Sequence, residues 1–149
     1  MKILCIDRSL CNGCGACQAV CALEKRGTVQ PAESRIQLKH TAGAKLQYAV
    51  SCQHCADPEC LKACLKTIIS KDGDKVVRKF QECFACSACA VACPIGAVVY
   101  DSQLDAYVTC DLCDGDPVCV KVCPTGALRY EEPAAASADR RSAYAKQSR

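Results

Sequence analysis

Residues 83–94 read Cys83-Phe84-Ala85-Cys86-Ser87-Ala88-Cys89-Ala90-Val91-Ala92-Cys93-Pro94. Three cysteines recur at steps of three, a fourth follows four residues on, and proline stands directly behind it. C-x2-C-x2-C-x3-C-P is the spacing with which thiolates hold [4Fe–4S] clusters. Three thiolates at that step can converge on three irons of one cubane from a single loop. The fourth sits one helical turn further on and points away. One C-x2-C is weak, because zinc sites use it constantly. A third cysteine at the next step of three is surplus to a zinc ribbon.

Working outward, near-copies of the pattern appear three more times. The first quartet is Cys11, Cys14, Cys17 and Cys21, with the same spacing. The second is Cys52, Cys55, Cys60 and Cys64, with two extra residues before its third cysteine. The fourth is Cys110, Cys113, Cys119 and Cys123, with three extra. Both insertions carry Asp and Pro, residues that suit a turn leading into a helix. Quartets two, three and four start about 27–31 residues apart, the mark of a repeated supersecondary unit. Proline follows Cys93 and Cys123, while Ala22 and Leu65 follow Cys21 and Cys64. Proline is no ligand, so all four quartets are expected to bind. Sixteen of the 17 cysteines are thereby used, which predicts four [4Fe–4S] clusters and leaves no open iron for Lewis-acid catalysis.

Composition agrees. The chain has 149 residues, no Trp, two Phe and five Tyr. So few large side chains cannot easily fill a conventional core, and small domains then need staples. Disulfides are disfavoured by the odd cysteine count and by an N-terminus without an apolar signal segment. Arg140-Arg141 lies near the far end and is no export signal. No apolar stretch approaches the roughly 18 residues that span a membrane. A cytoplasmic chain is expected, where dense cysteine means metal or redox chemistry. The formal charge of +3 counts the cysteines as neutral. Four thiolate-held clusters at about −2 each move it to about −5, so no nucleic-acid footprint is expected.

Between quartets, residues 2–7, 46–51, 67–70, 76–80, 97–100, 106–109 and 127–130 read as short strands. Lys71-Asp72-Gly73-Asp74 is a hairpin signal. Residues 16–25, 59–65, 87–93 and 118–123 read as short helices. The fold class is α+β, small βαβ-type units with metal as most of the core. Residues 25–45 read as a polar connector. Residues 132–149 form an alanine- and arginine-rich tail, disordered alone or a helical docking arm that supports self-association.

A few side chains stand outside the quartets. Cys5 reads as a small buried hydrophobe in the first strand. His54, inside the second loop, reads as a plain loop residue, with tuning of a cluster as the alternative. Asp111, Asp114 and Asp116 crowd the fourth loop, and their charge would lower the potential there. His40 and the scattered lysines read as surface.

The run Cys52-Gln53-His54-Cys55 through Cys60 resembles a known family, as do Cys93-Pro94-Ile95-Gly96-Ala97-Val98 and Cys123-Pro124-Thr125-Gly126-Ala127-Leu128 with the four quartets in this order. It is that of four-cluster ferredoxin-like subunits of redox complexes. These include the beta subunits of the DMSO reductase superfamily and the small carriers beside formate hydrogenlyase, CO dehydrogenase and tungsten aldehyde oxidoreductase. The resemblance covers residues 1–131 and implies a tandem bicluster fold with nested pairing, quartet one with four and two with three. It implies one cluster on Cys11, Cys14, Cys17 and Cys123, and a second on Cys110, Cys113, Cys119 and Cys21. A third falls on Cys52, Cys55, Cys60 and Cys93, and a fourth on Cys83, Cys86, Cys89 and Cys64. Spacing alone leaves nested and sequential pairing open.

The function expected is electron transfer between a large catalytic subunit and another redox partner, not catalysis by this chain. Candidate catalytic partners are pterin-metal, hydrogenase or CO dehydrogenase types, with a lean to a tungsten or molybdenum aldehyde oxidoreductase. A flavin subunit reacting with NAD(P)H is a further candidate. Rival readings are a free polyferredoxin and a metalloenzyme maturation factor. No G-x-G-x-x-G, P-loop or nucleophile–base pair is visible in the sequence.

Overall fold

Ile3–Ile6 forms strand β1, and its partner is the far end of the described chain. It pairs antiparallel with the last strand, Leu128–Glu131, setting Ile3 opposite Glu131 and Ile6 opposite Leu128. The computed structural model describes residues 1–40, 43 and 47–132. The tail expected at 133–149 lies outside the described residues. After β1 come helix α1 (Ala16–Arg26), strands β2 (Gln37–His40) and β3 (Gln47–Val50), and helix α2 (Glu59–Lys62). Strands β4 (Ile69–Asp72) and β5 (Lys75–Arg78), helix α3 (Ala88–Ala92) and strands β6 (Val99–Asp101) and β7 (Ala106–Val108) follow. Helix α4 (Val118–Lys121) leads to the last strand, β8 (Leu128–Glu131). The strands make four two-stranded antiparallel ribbons, β1-β8, β2-β3, β4-β5 and β6-β7. Helix α1 packs on α4, and α2 packs on α3.

The β4-β5 hairpin is tighter than its four-residue turn signal. Lys71 and Asp72 lie in the strand, and Gly73-Asp74 alone makes the turn, with Gly73 at φ 57°. Glycine in that conformation at the first central position suits a two-residue turn that follows the strand twist. The short helices end earlier than the sequence suggests. Helix α3 stops at Ala92 because the residue before a proline avoids the helical region, and Cys93 is extended at φ −72°, ψ 113°.

Residues 25–45 are more than a connector. Ser34 is fully buried and Ile36 is 2% exposed. The Ser34 hydroxyl donates to the Ile36 carbonyl at 2.7 Å, and the Ile36 N–H donates back to Ser34 Oγ at 3.1 Å. That turn launches β2, which pairs with β3 with Gln37 opposite Val50. The pattern was hard to see because only Ile36 and Leu38 mark the inner face among polar neighbours. Pairing with β3, not propensity, makes the strand.

The core is thin. The largest fully buried side chains are Leu4, Ile36, His54, Ser34 and Ser51. Apolar packing elsewhere is built around cysteines. Cys17, Cys21 and Cys119 sit with Leu4, Ile36 and Leu128, while Cys89 sits with Ile68, Ile69 and Val76. Among the described residues no helix is long and apolar enough to cross a membrane.

One ion pair ties α1 to the β6-β7 ribbon. Arg26, in the last turn of α1, donates through Nε to Asp101 Oδ2 at 2.7 Å. The Asp101 side chain is 4% exposed and also accepts the Gln103 and Leu104 N–H groups. Breaking a buried pair leaves an uncompensated charge, which costs about 3–5 kcal/mol. Asp101→Ala is therefore expected to destabilise the iron-loaded chain by about that much. Chemical denaturation under anaerobic conditions checks this, and a midpoint equal to wild type would show that the pair carries no weight.

Candidate metal centres

Each cysteine loop bends back on itself through left-handed residues. In loop one, Gly13 (φ 70°) and Gly15 (φ 80°) flank Cys14. In loop three, Ala85 (φ 54°) and Ser87 (φ 62°) take the same places around Cys86. His54 (φ 47°) matches Gly13 in loop two, and Leu112 (φ 64°) matches it in loop four, where Cys113 and Asp114 are left-handed as well. Residues with side chains pay about 1–2 kcal/mol for that conformation. Such strain persists where the surroundings demand it, commonly at functional sites. Successive N–H groups around a left-handed bend can form a concavity that suits an anion.

The thiols gather in four places. Cys11, Cys14, Cys17 and Cys123 line one cavity, with Gly15, Leu38 and Ala127. Cys52, Cys55, Cys60 and Cys93 line a second, with Val76, Pro94 and Thr109. Cys64, Cys83, Cys86 and Cys89 line a third, with Ile68, Arg78 and Tyr107. Cys110, Cys21 and Cys113, ahead of Cys17, are the thiols that bear on Cys119, the fourth gathering. In every place three cysteines come from one loop and the fourth from within or just after the helix that follows another. Among the described residues no group of three or more His, Cys, Asp or Glu has the arrangement of a single-ion site. Four thiols around a void instead fit a polynuclear cluster that fills it. The four places also follow one order. Cys17 bears on Cys119, Cys110 on Cys52, and Cys89 on Cys60. Cys14 and Cys86, at opposite ends of that row, are the exposed cysteines.

Burial pushes Cys17, Cys52, Cys60, Cys110 and Cys119 away from ionisation. Cys17 is raised to about 11, and Cys52 and Cys119 to about 12, first by burial and then by neighbouring cysteines. Without clusters these groups stay protonated, so metal loading must release protons. The fold also supplies donors to sulfur. The Ala97 N–H donates to Cys93 Sγ at 3.3 Å, Leu112 to Cys110 Sγ at 3.4 Å and Arg35 to Cys21 Sγ at 3.4 Å. Burial raises Cys123 too, but N–H groups of Leu128, Thr125 and Ala127 and the Thr125 hydroxyl outweigh it and hold its pKa below the ordinary thiol value. N–H groups aimed at sulfur favour thiolate and tune the potential of a bound cluster.

Three side chains differ from what the sequence suggests. His54 is no plain loop residue: it is 1% exposed, and its Nδ1 accepts the Val76 N–H at 3.1 Å, pinning loop two to β5. Its left-handed backbone turns the ring inward, which residue type alone does not reveal. Asp111 does not add net negative charge to loop four. It pairs with Lys25 at 2.9 Å and Arg35 at 2.6 Å, and also accepts the Cys113 N–H. Burial opposes ionisation of Asp111, yet these partners hold its carboxyl below the usual range. Asp114 and Asp116 point to solvent beside Lys75 and Lys121. Cys5 is half-buried, not buried, in β1 opposite Arg129. His40 is exposed, as expected.

Residues 45–133 match the family model described as a 4Fe-4S dicluster domain. The chain is 38% identical over 128 residues to the beta subunit of the NADH-dependent phenylglyoxylate dehydrogenase of Aromatoleum evansii. That match covers 83% of the chain but 29% of the relative, so the chain spans less than a third of its length. It is 35% identical over 117 residues to the polyferredoxin-like subunit of the aliphatic sulfonate oxidoreductase of Pyrococcus furiosus, covering 76% and 66%. It is 32% identical over 145 residues to the B subunit of the anaerobic dimethyl sulfoxide reductase of Haemophilus influenzae, covering 83% and 70%. Among solved structures, the BamBC active-site complex of benzoyl coenzyme A reductase with benzoyl-CoA contains a similar chain. That likeness has a TM-score of 0.50 at 25% identity, over 87% of this chain and 78% of the other.

Proposed function

The chain belongs to the 4Fe-4S dicluster domain family, and we propose that it relays electrons through four [4Fe–4S] clusters as a subunit of an oxidoreductase complex. A [4Fe–4S] cluster supplies one-electron redox chemistry, and the protein supplies ligation, spacing, burial and charge. In this reading Cys11, Cys14, Cys17 and Cys123 hold the first cluster, and Cys110, Cys113, Cys119 and Cys21 the second. Cys52, Cys55, Cys60 and Cys93 hold the third, and Cys83, Cys86, Cys89 and Cys64 the fourth. Residues 1–131 then form one tandem bicluster unit. The observation that carries the reading is the gathering of sixteen thiols into four groups, each completed by a cysteine from another loop.

A relay needs an entry and an exit. The order of the four groups, with Cys14 and Cys86 exposed at its two ends, supports one. Exposed Leu10 near the first end, and Leu65, Phe84 and Val91 near the other, provide apolar contact surface beside those ends. The relatives are subunits of a dehydrogenase, a sulfonate oxidoreductase and a sulfoxide reductase, which supports a large catalytic subunit as the partner. Of the candidate partners a pterin-metal aldehyde oxidoreductase is our choice, and this chain by itself performs no substrate chemistry.

The test is stoichiometry. Anaerobically purified and reconstituted chain is expected to hold about sixteen irons and sixteen acid-labile sulfides, and to show paramagnetic signals after dithionite. Stoichiometric zinc without sulfide would overturn the reading. Purification from the native host with and without a catalytic subunit separates a complex subunit from a free carrier.

A further inference from the structure

Strand β5 carries a charged residue on the face it turns inward. Alternate residues of a strand share a face, so Arg78 lies on the same side as Val76. Val76 is 3% exposed and lines the cavity of Cys52, Cys55, Cys60 and Cys93. A guanidinium on the inner face of a short ribbon is a local conflict, and such conflicts concentrate where function requires them.

Arg78 stands where three of the four sites meet. It lines the cavity of Cys64, Cys83, Cys86 and Cys89. It also lines the crevice that opens beside Cys110, together with Arg35 and Lys75. Its Nε donates to Thr109 Oγ1 at 3.2 Å, and Thr109 lines the Cys52–Cys55–Cys60–Cys93 cavity. Its charge bears on the Cys60 thiol and favours the thiolate there, against burial. Its partner Thr109 is neutral, and its Nη2 is buried with no hydrogen-bond partner among the described residues. Arg35 and Lys25 differ, since both pair with Asp111. No carboxylate among the described residues pairs with Arg78; Asp111 lines the same crevice but is held by Lys25 and Arg35.

We propose that Arg78 is a potential-setting residue of the relay, a fixed cation that raises the reduction potential of the clusters held by quartets two and three. The inference rests on the ligand sets given under Proposed function. Reduction adds one electron to a cluster and takes up no proton at Arg78, so the site becomes more negative by one charge. A cation held nearby in a poorly solvated site lowers the free energy of the reduced form more than that of the oxidised form. Arg78 therefore makes the Cys52 and Cys64 sites easier to reduce than their ligands alone would. The residue acts through the field and is not a ligand.

The experiment is a potentiometric titration of the full loaded chain followed by electron paramagnetic resonance, with iron and sulfide assayed on the same samples. Arg78→Gln is expected to keep its iron while the reduced-to-oxidised ratio of one or two clusters falls about tenfold at fixed potential, a shift of about 59 mV for a one-electron couple. Arg78→Lys, which keeps the charge, is expected to stay within about threefold of wild type. Where the glutamine variant does not load, Arg78→Met removes the charge in its place and is read the same way. Unchanged potentials in a fully loaded, charge-free variant would overturn the proposal and leave Arg78 a packing residue. A wild-type chain with fewer than four clusters would instead remove the ligand reading beneath it, and the iron assay tells the two failures apart.

Discussion

Anaerobic removal of iron is expected to abolish the ordered structure of the described residues, seen as loss of the far-ultraviolet circular dichroism of the loaded chain. Domains of this size depend on apolar burial, and here the five largest fully buried side chains include two serines and a histidine. Buried cysteines belong to all three apolar clusters. Without iron those thiols line voids, and a lining without partner atoms forfeits its dispersion contacts. Chelation also leaves buried thiols that resist ionisation, with Cys17 raised to about 11 and Cys52 and Cys119 to about 12. The left-handed residues at Ala85, Ser87, His54 and Leu112 add backbone strain in the same loops. Helices α2, α3 and α4 have four, five and four residues, far too short to persist alone. Folding and cluster binding should therefore be one event. A metal-free chain that keeps its dichroism and melts cooperatively would contradict this account.

Exchange of Cys21 is expected to damage a cluster whose other ligands lie about ninety residues away in the chain. Cys21 sits in α1 next to loop one, yet its thiol neighbours Cys110 and Cys119. Helix α1 packs on α4, and β1 pairs with β8, so the two ends of the described chain form one body. Cys21→Ser should therefore lose or convert the cluster of Cys110, Cys113 and Cys119, removing up to roughly a quarter of the iron. The signal affected by Cys17→Ser should be a different one. Cys123→Ser should reproduce the Cys17→Ser defect, because Cys123 lines the cavity of Cys11, Cys14 and Cys17. Spectra of the three variants, each assayed for iron, decide the pairing. A shared defect in Cys21→Ser and Cys17→Ser would mean that each loop keeps its own fourth cysteine.

The cofactor class was legible in the sequence because cubane ligation restricts how many residues can separate three ligands in one loop. Cys83, Cys86 and Cys89 state that restriction by themselves. The hairpin at Gly73 was legible for a similar reason, since a positive φ at a turn favours one residue type. Both are local constraints, and local constraints leave a mark in local text. Strand β2 left almost none, because its order comes from β3 and from the buried turn at Ser34 and Ile36. The charge of Asp111 could be read, but its neutralisation could not, because Lys25 and Arg35 lie 86 and 76 residues away. The inward ring of His54 and the inward guanidinium of Arg78 likewise follow from how β5 lies against two loops. The connectors between quartets two and three and between three and four are similar in length, so spacing was silent between nested and sequential pairing. Only the tertiary structure brings Cys21 to Cys110 and Cys123 to Cys11, because packing α1 on α4 and pairing β1 with β8 are contacts between residues that no short window of sequence contains.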